Sequence, residues 1–241
     1  MTQTALAGRQ DISNKTISEG GGESLPPYKE ALNSQDAGPT RTAHMCVSVL
    51  LDYPGEDYDQ DLSVIALELE NLDDKVAAEL AEYLSWAQKT DVGDIEKAYV
   101  DTFDKRRKCA LHLTYYSTGD TRLRGGALVT FGQAFEAMGW RIEGGELPDY
   151  LPAVCELAAR TGDELALHLL NVHREGLEVL RAALESLNSP WAAVMRALIL
   201  TLPPLDERAK DAYQRLIMKG PPAEMVGITD LPFPMMSGVE S

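Results

Sequence analysis

A chain of 241 residues with 38 acidic and 22 basic side chains has a formal net charge of −16. That balance excludes the continuous basic face that nucleic acid requires, and it suits a basic partner or plain solubility. Three cysteines without paired or metal-ligand spacing exclude a disulfide framework and a zinc site, so Cys46, Cys109 and Cys155 read as buried thiols of a reduced compartment.

The first residues lack the apolar core of a signal peptide, and no apolar run reaches the roughly 18 residues of a membrane span. A cytoplasmic protein is expected. Residues 1–41 are rich in Gly, Ser, Thr, Asn and Gln without hydrophobic periodicity, and read as a disordered arm. A helical domain is expected over 42–219, followed by a proline-rich extended tail over 220–241.

Within the domain, a first helix is expected over 44–51, carried by Met45, Val47, Val49, Leu50 and Leu51 and stopped before Pro54. An acidic turn with Glu56, Asp57, Asp59 and Asp61 lacks the glycine and distal glutamate of an EF-hand and reads as a solvated face. Leu62, Ile65, Ala66 and Leu69 mark a second helix. Asp73 or Asp74 caps a third, with Val76, Leu80, Leu84 and Ala87 on its inner face. Asp94 opens a fourth, in which Tyr99 and Phe103, four apart, share a face.

Residues 105–125 read as irregular and basic, with Lys105, Arg106, Arg107, Lys108, Arg122 and Arg124. A helix then starts near Asp120 or Thr121, carries Ala127, Leu128, Phe131, Ala134, Phe135 and Met138, and ends at Gly139. Residues 144–152 form an elbow in which Asp149 caps the next helix and Pro152 occupies its first turn. That helix carries Leu151, Val154, Cys155 and Ala158 and ends at Gly162. Asp163 caps one long helix through Leu187, with Gly176 inside it as a kink or a close helix contact. Ser189 and Pro190 start another, from Trp191 to Ile199, and a more polar last helix is expected over 206–218. Strand alternation is missing; Leu111 to Tyr116 comes nearest. The sum is an all-α, single-domain bundle of about nine helices.

Phosphate-loop, dinucleotide, nucleophile-elbow and metalloprotease motifs are all missing. His168 and His173, five apart, do not share a helix face, and no metal site is expected. Glu146 and Asp149 make a carboxylate pair without an accompanying nucleophile or base. No enzyme is expected. Two readings of different class follow: a helical binding module that receives an amphipathic segment of a client, and a small nucleotide- or pterin-binding protein using glycine and arginine in TGDTRLRGG, at Arg122 and Arg124.

YVDTFD, TGDTRLRG and GELPDYLP, in that order and spacing, resemble the NarJ-type assembly chaperones of respiratory nitrate reductase. These are also called nitrate reductase delta subunits and belong with the TorD-like redox-enzyme maturation chaperones. The resemblance runs from about 47 to 203, starts with Leu-Leu-Asp-Tyr-Pro at 50–54, and leaves out the first forty residues. The family elbow usually reads Glu-Leu-Pro-Asp-His; Tyr150 stands here in place of the histidine, so no role needing an imidazole carries over.

The resemblance implies a TorD/NarJ-like bundle and a chaperone that is not part of the finished enzyme. Such a protein binds the N-terminal, twin-arginine-like segment of the apo catalytic (alpha) subunit. It permits insertion of the molybdenum bis-guanine-dinucleotide cofactor before membrane anchoring, and holds no cofactor stably itself. A monomer is expected, with a homodimer as the alternative. The residues matching the family motifs are Tyr99, Phe103 and Asp104, then Arg122 and Arg124, then Glu146, Leu147, Pro148 and Asp149; Tyr115 lies between them. Tyr99 and Phe103 would take the client's apolar side chains, and Asp104, Glu146 and Asp149 its arginines. From spacing alone, plain core packing of the two aromatics and helix capping by Asp149 serve equally.

Overall fold

The first helix is buried along most of its length. In the computed structural model, which describes residues 17–19, 38–119, 122–142 and 145–203, α1 spans Pro39–Leu51 and every residue from Thr42 to Leu51 is buried. A helix apolar all round belongs in the middle of a bundle. Its principal partner is α7, Leu151–Thr161, buried from Leu151 to Arg160. Ser48 Oγ donates to the Pro152 carbonyl at 2.8 Å between them.

Around this pair run α2 (Tyr58–Glu68), α3 (Asp74–Ala87), α4 (Val92–Tyr99), α5 (Leu113–Thr118), α6 (Leu123–Ala137), α8 (Glu164–Val172), α9 (Arg174–Ser186) and α10 (Trp191–Leu200). Single 3-10 turns sit at Leu69–Asn71 and Arg107–Cys109, and a π turn at Val100–Asp104 follows α4. Helix α10 packs on α3, α1 and α9. Its Trp191 is fully buried, lies 5.4 to 5.8 Å from the rings of Tyr83, Trp86, Tyr99 and Phe103, and donates its indole N–H to the Leu50 carbonyl at 3.0 Å. One aromatic side chain thus ties α10 to α1, α3 and α4.

The all-α expectation holds, with differences in detail. Helix α1 starts at Pro39, not near 44. Gly38 and a first-turn proline are the start signal. Arg41 in that turn donates Nε to the Ala159 carbonyl and Nη2 to the Arg160 carbonyl, each at 2.7 Å, meeting the open C-terminal end of α7 beside Gly162, whose φ is +62°. Part of the arm expected to be disordered forms a strand: β1, Ile17–Glu19, pairs antiparallel with β2, Trp140–Ile142. The irregular stretch contains α5. The expected long helix through Leu187 is two, α8 and α9, broken at His173 (φ −99°, ψ +10°). Nδ1 of His173 bonds the Leu169 carbonyl at 2.8 Å and its ring packs on Phe131 at 5.1 Å, so the side chain competes for the carbonyl of the turn. Gly176 marks a close contact: a Cβ there would meet Tyr116 Cβ at 2.7 Å. The caps at Asp120 or Thr121, the helix at 206–218 and the tail at 220–241 lie outside the described residues.

His44, in the middle of α1, is fully buried. Thr201 Oγ1 donates to the Leu198 carbonyl, so it accepts from His44 Nε2 at 2.8 Å. The tautomer is then Nε2–H, and Nδ1 has no partner. Burial lowers the His44 pKa from 6.5 to about 4. The unfolded chain binds the proton near pH 6.5 and the folded one only near 4, so this share of stability is complete above 6.5 and declines as pH falls toward 4, by roughly 3 kcal/mol. Burial of His173 acts in the same direction. Chemical denaturation from pH 7 to 4 should therefore show a clearly shallower loss for His44→Leu than for the unaltered protein; parallel curves would contradict this. Gly176→Ala should cost about 1–3 kcal/mol through overpacking against Tyr116, read as a lower melting temperature.

Candidate functional site

The elbow is organised by Asp149. Its carboxylate is fully buried. Oδ2 accepts from the Thr114 amide at 3.1 Å and from Thr114 Oγ1 at 2.5 Å. Oδ1 lies 3.2 Å from His112 Nδ1, and Arg124 Nη2 is 3.7 Å from Oδ2. Two backbone bonds reinforce the contact, Leu113 N to the Asp149 carbonyl at 2.9 Å and Leu151 N to the Leu111 carbonyl at 2.7 Å. Asp149 therefore does not cap α7 as expected. The cap position of α7 is Tyr150, without a side-chain bond, and Asp149 instead satisfies the first turn of α5 across the chain. Burial opposes its charge, but the hydrogen bonds from His112 and Thr114 and the charges of His112 and Arg124 outweigh it and hold the carboxyl below its usual range.

Tyr99 and Phe103 are buried as well, at 4% and 8% exposure. Their rings lie 4.7 Å apart. Core packing, the plainer of the two readings, accounts for both. The Tyr99 hydroxyl donates to the Leu51 carbonyl at 3.0 Å, and its oxygen lies 3.2 Å from that of Tyr150. Tyr150 donates to Asp52 Oδ1 at 3.1 Å. Burial raises both phenols, and Asp52 adds to each, so they remain proton donors that lock α1, α4 and the elbow together. At the family's histidine position this chain thus has a fixed hydrogen-bond donor that does not titrate near neutrality.

The accessible residues lie around that lock. Asp104, Glu146 and Leu147 are exposed, and Asp52, Asp104 and Glu146 all stand close enough to Tyr99 to raise its pKa. Tyr53 is half exposed and packs edge-on against Tyr99 at 5.5 Å. Pro148 and Tyr115 are half buried, the latter against Tyr116 at 5.7 Å. Arg122 is exposed at the N-cap of α6, whereas Arg124 turns toward Asp149, which commits half of the suggested phosphate cradle to the elbow. The structure thus exposes Asp104, Glu146 and Leu147, with both acids near Tyr99, and buries Tyr99, Phe103 and Asp149. Four participants were missed: Asp52 and Tyr53, present in the Leu-Leu-Asp-Tyr-Pro motif, and His112 and Thr114, which no local pattern marks. Among the described residues no group of three His, Cys, Asp or Glu could hold a metal ion, and no helix is long and apolar enough to cross a membrane.

Asp149→Asn should destabilise the protein by about 2 kcal/mol, the scale of charge-assisted bonds lost in a buried site. Because the carboxyl is held below 3.8, its contribution is present above that pH and is lost as pH falls through the folded value. The variant's stability should therefore depend less on pH below about 4 than that of the unaltered protein, which equilibrium unfolding measures. A lysine at 149, by contrast, would bury a charge beside Arg124 and test only folding.

Residues 69–197 match the family model described as nitrate reductase delta subunit. The nitrate reductase-like protein NarX of Mycobacterium tuberculosis (strain H37Rv) is 35% identical over 156 residues, 65% of this chain and 24% of NarX; the chain spans about a quarter of that relative's length. The probable nitrate reductase molybdenum cofactor assembly chaperone NarJ of Bacillus subtilis (strain 168) is 27% identical over 172 residues, 71% of this chain and 92% of that one. The corresponding NarJ of Escherichia coli (strain K12) is 29% identical over 156 residues, 64% and 66% of the two chains. The family match covers more than half of the chain, takes in the Asp149 elbow and Arg124, and leaves out Asp52 and Tyr53: this chain belongs to the nitrate reductase delta subunit family.

Proposed function

We propose that this protein is an assembly chaperone for a respiratory nitrate reductase. It binds the N-terminal segment of the apo catalytic subunit, keeps that subunit receptive while the molybdenum bis-guanine-dinucleotide cofactor is inserted, delays membrane anchoring until then, and leaves the finished enzyme. In this reading it works in the cytoplasm as a monomer, holds no cofactor stably, and catalyses nothing. The names of the NarJ relatives support the role. The observation that supports it in this chain is that three acids, Asp52, Asp104 and Glu146, here termed the rim, all stand near Tyr99, against which the half-exposed Tyr53 packs at 5.5 Å, with Leu147 exposed next to Glu146 in the chain.

The rim suits a client segment with arginines next to apolar residues. Apolar side chains would cover Tyr53 and Leu147, gaining about 25 cal/mol per Å² before the costs of association. Arginines would meet these carboxylates, of which Asp52 is already held by Tyr150 at 3.1 Å, which lowers its ordering cost. Tyr53 adds an aromatic face for a guanidinium. Tyr99, Phe103 and Asp149 act from beneath as the rim's support.

Titration calorimetry with the catalytic subunit's N-terminal peptide tests this. Asp104→Lys with Glu146→Lys should weaken binding at least about ten-fold, with stability changed by less than about 0.5 kcal/mol as for other surface substitutions. Glu56→Lys with Asp59→Lys, in the acidic turn, should change little, and affinity should fall as salt rises. Normal binding by the rim variant would overturn the site. A catalytic subunit that fills with molybdenum equally well in cells lacking this protein would overturn the function.

A further inference from the structure

We propose that the edge of β2 paired by β1 is a docking site for an extended peptide strand, and that β1, from the chain's own N-terminal arm, is its displaceable occupant. For the client as the strand that competes with the arm, the proposal rests on the chaperone reading above.

Strand β2 is rigidly seated. It follows Gly139 (φ +82°) at the end of α6 and precedes Gly145 (φ +82°) at the elbow. Its Trp140 is buried, with the Arg160 guanidinium 5.9 Å from the ring centre, and Arg160 is held by Glu156 at 2.7 Å, both almost wholly buried. Arg141 points out and Ile142 is half buried. A strand fixed this way on a helical body offers an edge of backbone N–H and C=O groups that helices cannot pair.

That edge is taken by β1 in the register Ile17 to Ile142, Ser18 to Arg141 and Glu19 to Trp140, and β1 also lies against α7. Covering a bare edge would be reason enough for a permanent strand. A permanent strand, however, would be long or closely tethered. This one is three residues long, and residues 20–37 separate it from the cap of α1. A short two-stranded ribbon is marginal by itself. Such a strand is a tethered ligand that a free segment can displace.

Two further observations favour exchange. The receiving strand lies inside the family match, which begins at residue 69, and the donating strand lies outside it. And Glu146 is four residues beyond Ile142, within about 14 Å along the chain, so a segment paired with β2 arrives beside the acidic rim. Backbone pairing supplies affinity without reading side chains, while the rim supplies selectivity for basic residues.

The test uses the full chain carrying Ile17→Pro and Ser18→Pro. Neighbouring residues of a strand point their N–H groups to opposite sides, so the pair removes whichever faces β2; Ser34→Pro is the control, and circular dichroism verifies the helices. A fluorescent peptide of residues 12–24 should bind the double-proline chain at least about five-fold more tightly than the unaltered or control chain, whose edge is occupied from within. Equal affinity for all, or no binding to the double-proline chain, overturns the proposal. The catalytic subunit's N-terminal peptide should displace the fluorescent one; binding without displacement overturns the competition. If it binds neither form, the chaperone reading fails while the fluorescent peptide still decides the edge.

Discussion

A carboxylate without water is tolerable only when its oxygens are satisfied, and Asp149 meets that requirement by drawing on three distant parts of the chain. Thr114 and His112 come from the start of α5, Arg124 from the first turn of α6, and the carboxylate itself from the elbow before α7. Helix α7 is the main partner of α1, so the same contact fixes how the peripheral α5–α6 segment sits on the bundle centre. Loss of any one partner leaves the others facing an imperfectly paired buried charge. The elbow is therefore a structural joint first.

That joint determines what the surface can present. With Asp149 turned inward, the elbow's remaining polar and apolar groups, Glu146 and Leu147, face out. Beneath them Tyr150 and Tyr99 extend a hydrogen-bonded link to Asp52 and the Leu51 carbonyl, at the end of the buried helix α1. The accessible acids are thus mounted on a scaffold with few soft degrees of freedom, and a preorganised acidic rim loses less on binding a basic segment than a mobile one would.

The sequence showed most of the bundle because helical periodicity, caps and glycines are local signals. The cap at Asp163 is as expected; of the two candidates Asp73 and Asp74 the cap is Asp73, and of the kink or close contact expected at Gly176 the structure has the close contact. Some failures are local, at His173, which breaks the helix by bonding Leu169, and at Asp91, which caps α4 in place of Asp94; the others came where partners distant in sequence decide. Pro39 to Ala43 looks too polar for a core helix, yet Arg41 finds the end of α7. Asp149 looked like a cap for the helix after it, and no local pattern could reveal Thr114 as its partner. Tyr99 and Phe103 carry a recognisable motif, but spacing cannot tell a buried aromatic pair from an exposed one; Trp191, about ninety residues later, makes the difference. Strand β1 is too short for any alternation to register.

The proposed recognition of a basic client segment near the Tyr99–Tyr150 lock is tested by amide hydrogen exchange of the chain with and without the catalytic subunit's N-terminal peptide. Slower exchange concentrated at 51–54, 103–106 and 145–148 is expected when peptide is bound. Protection confined to other surfaces, with those three segments unchanged, would contradict it.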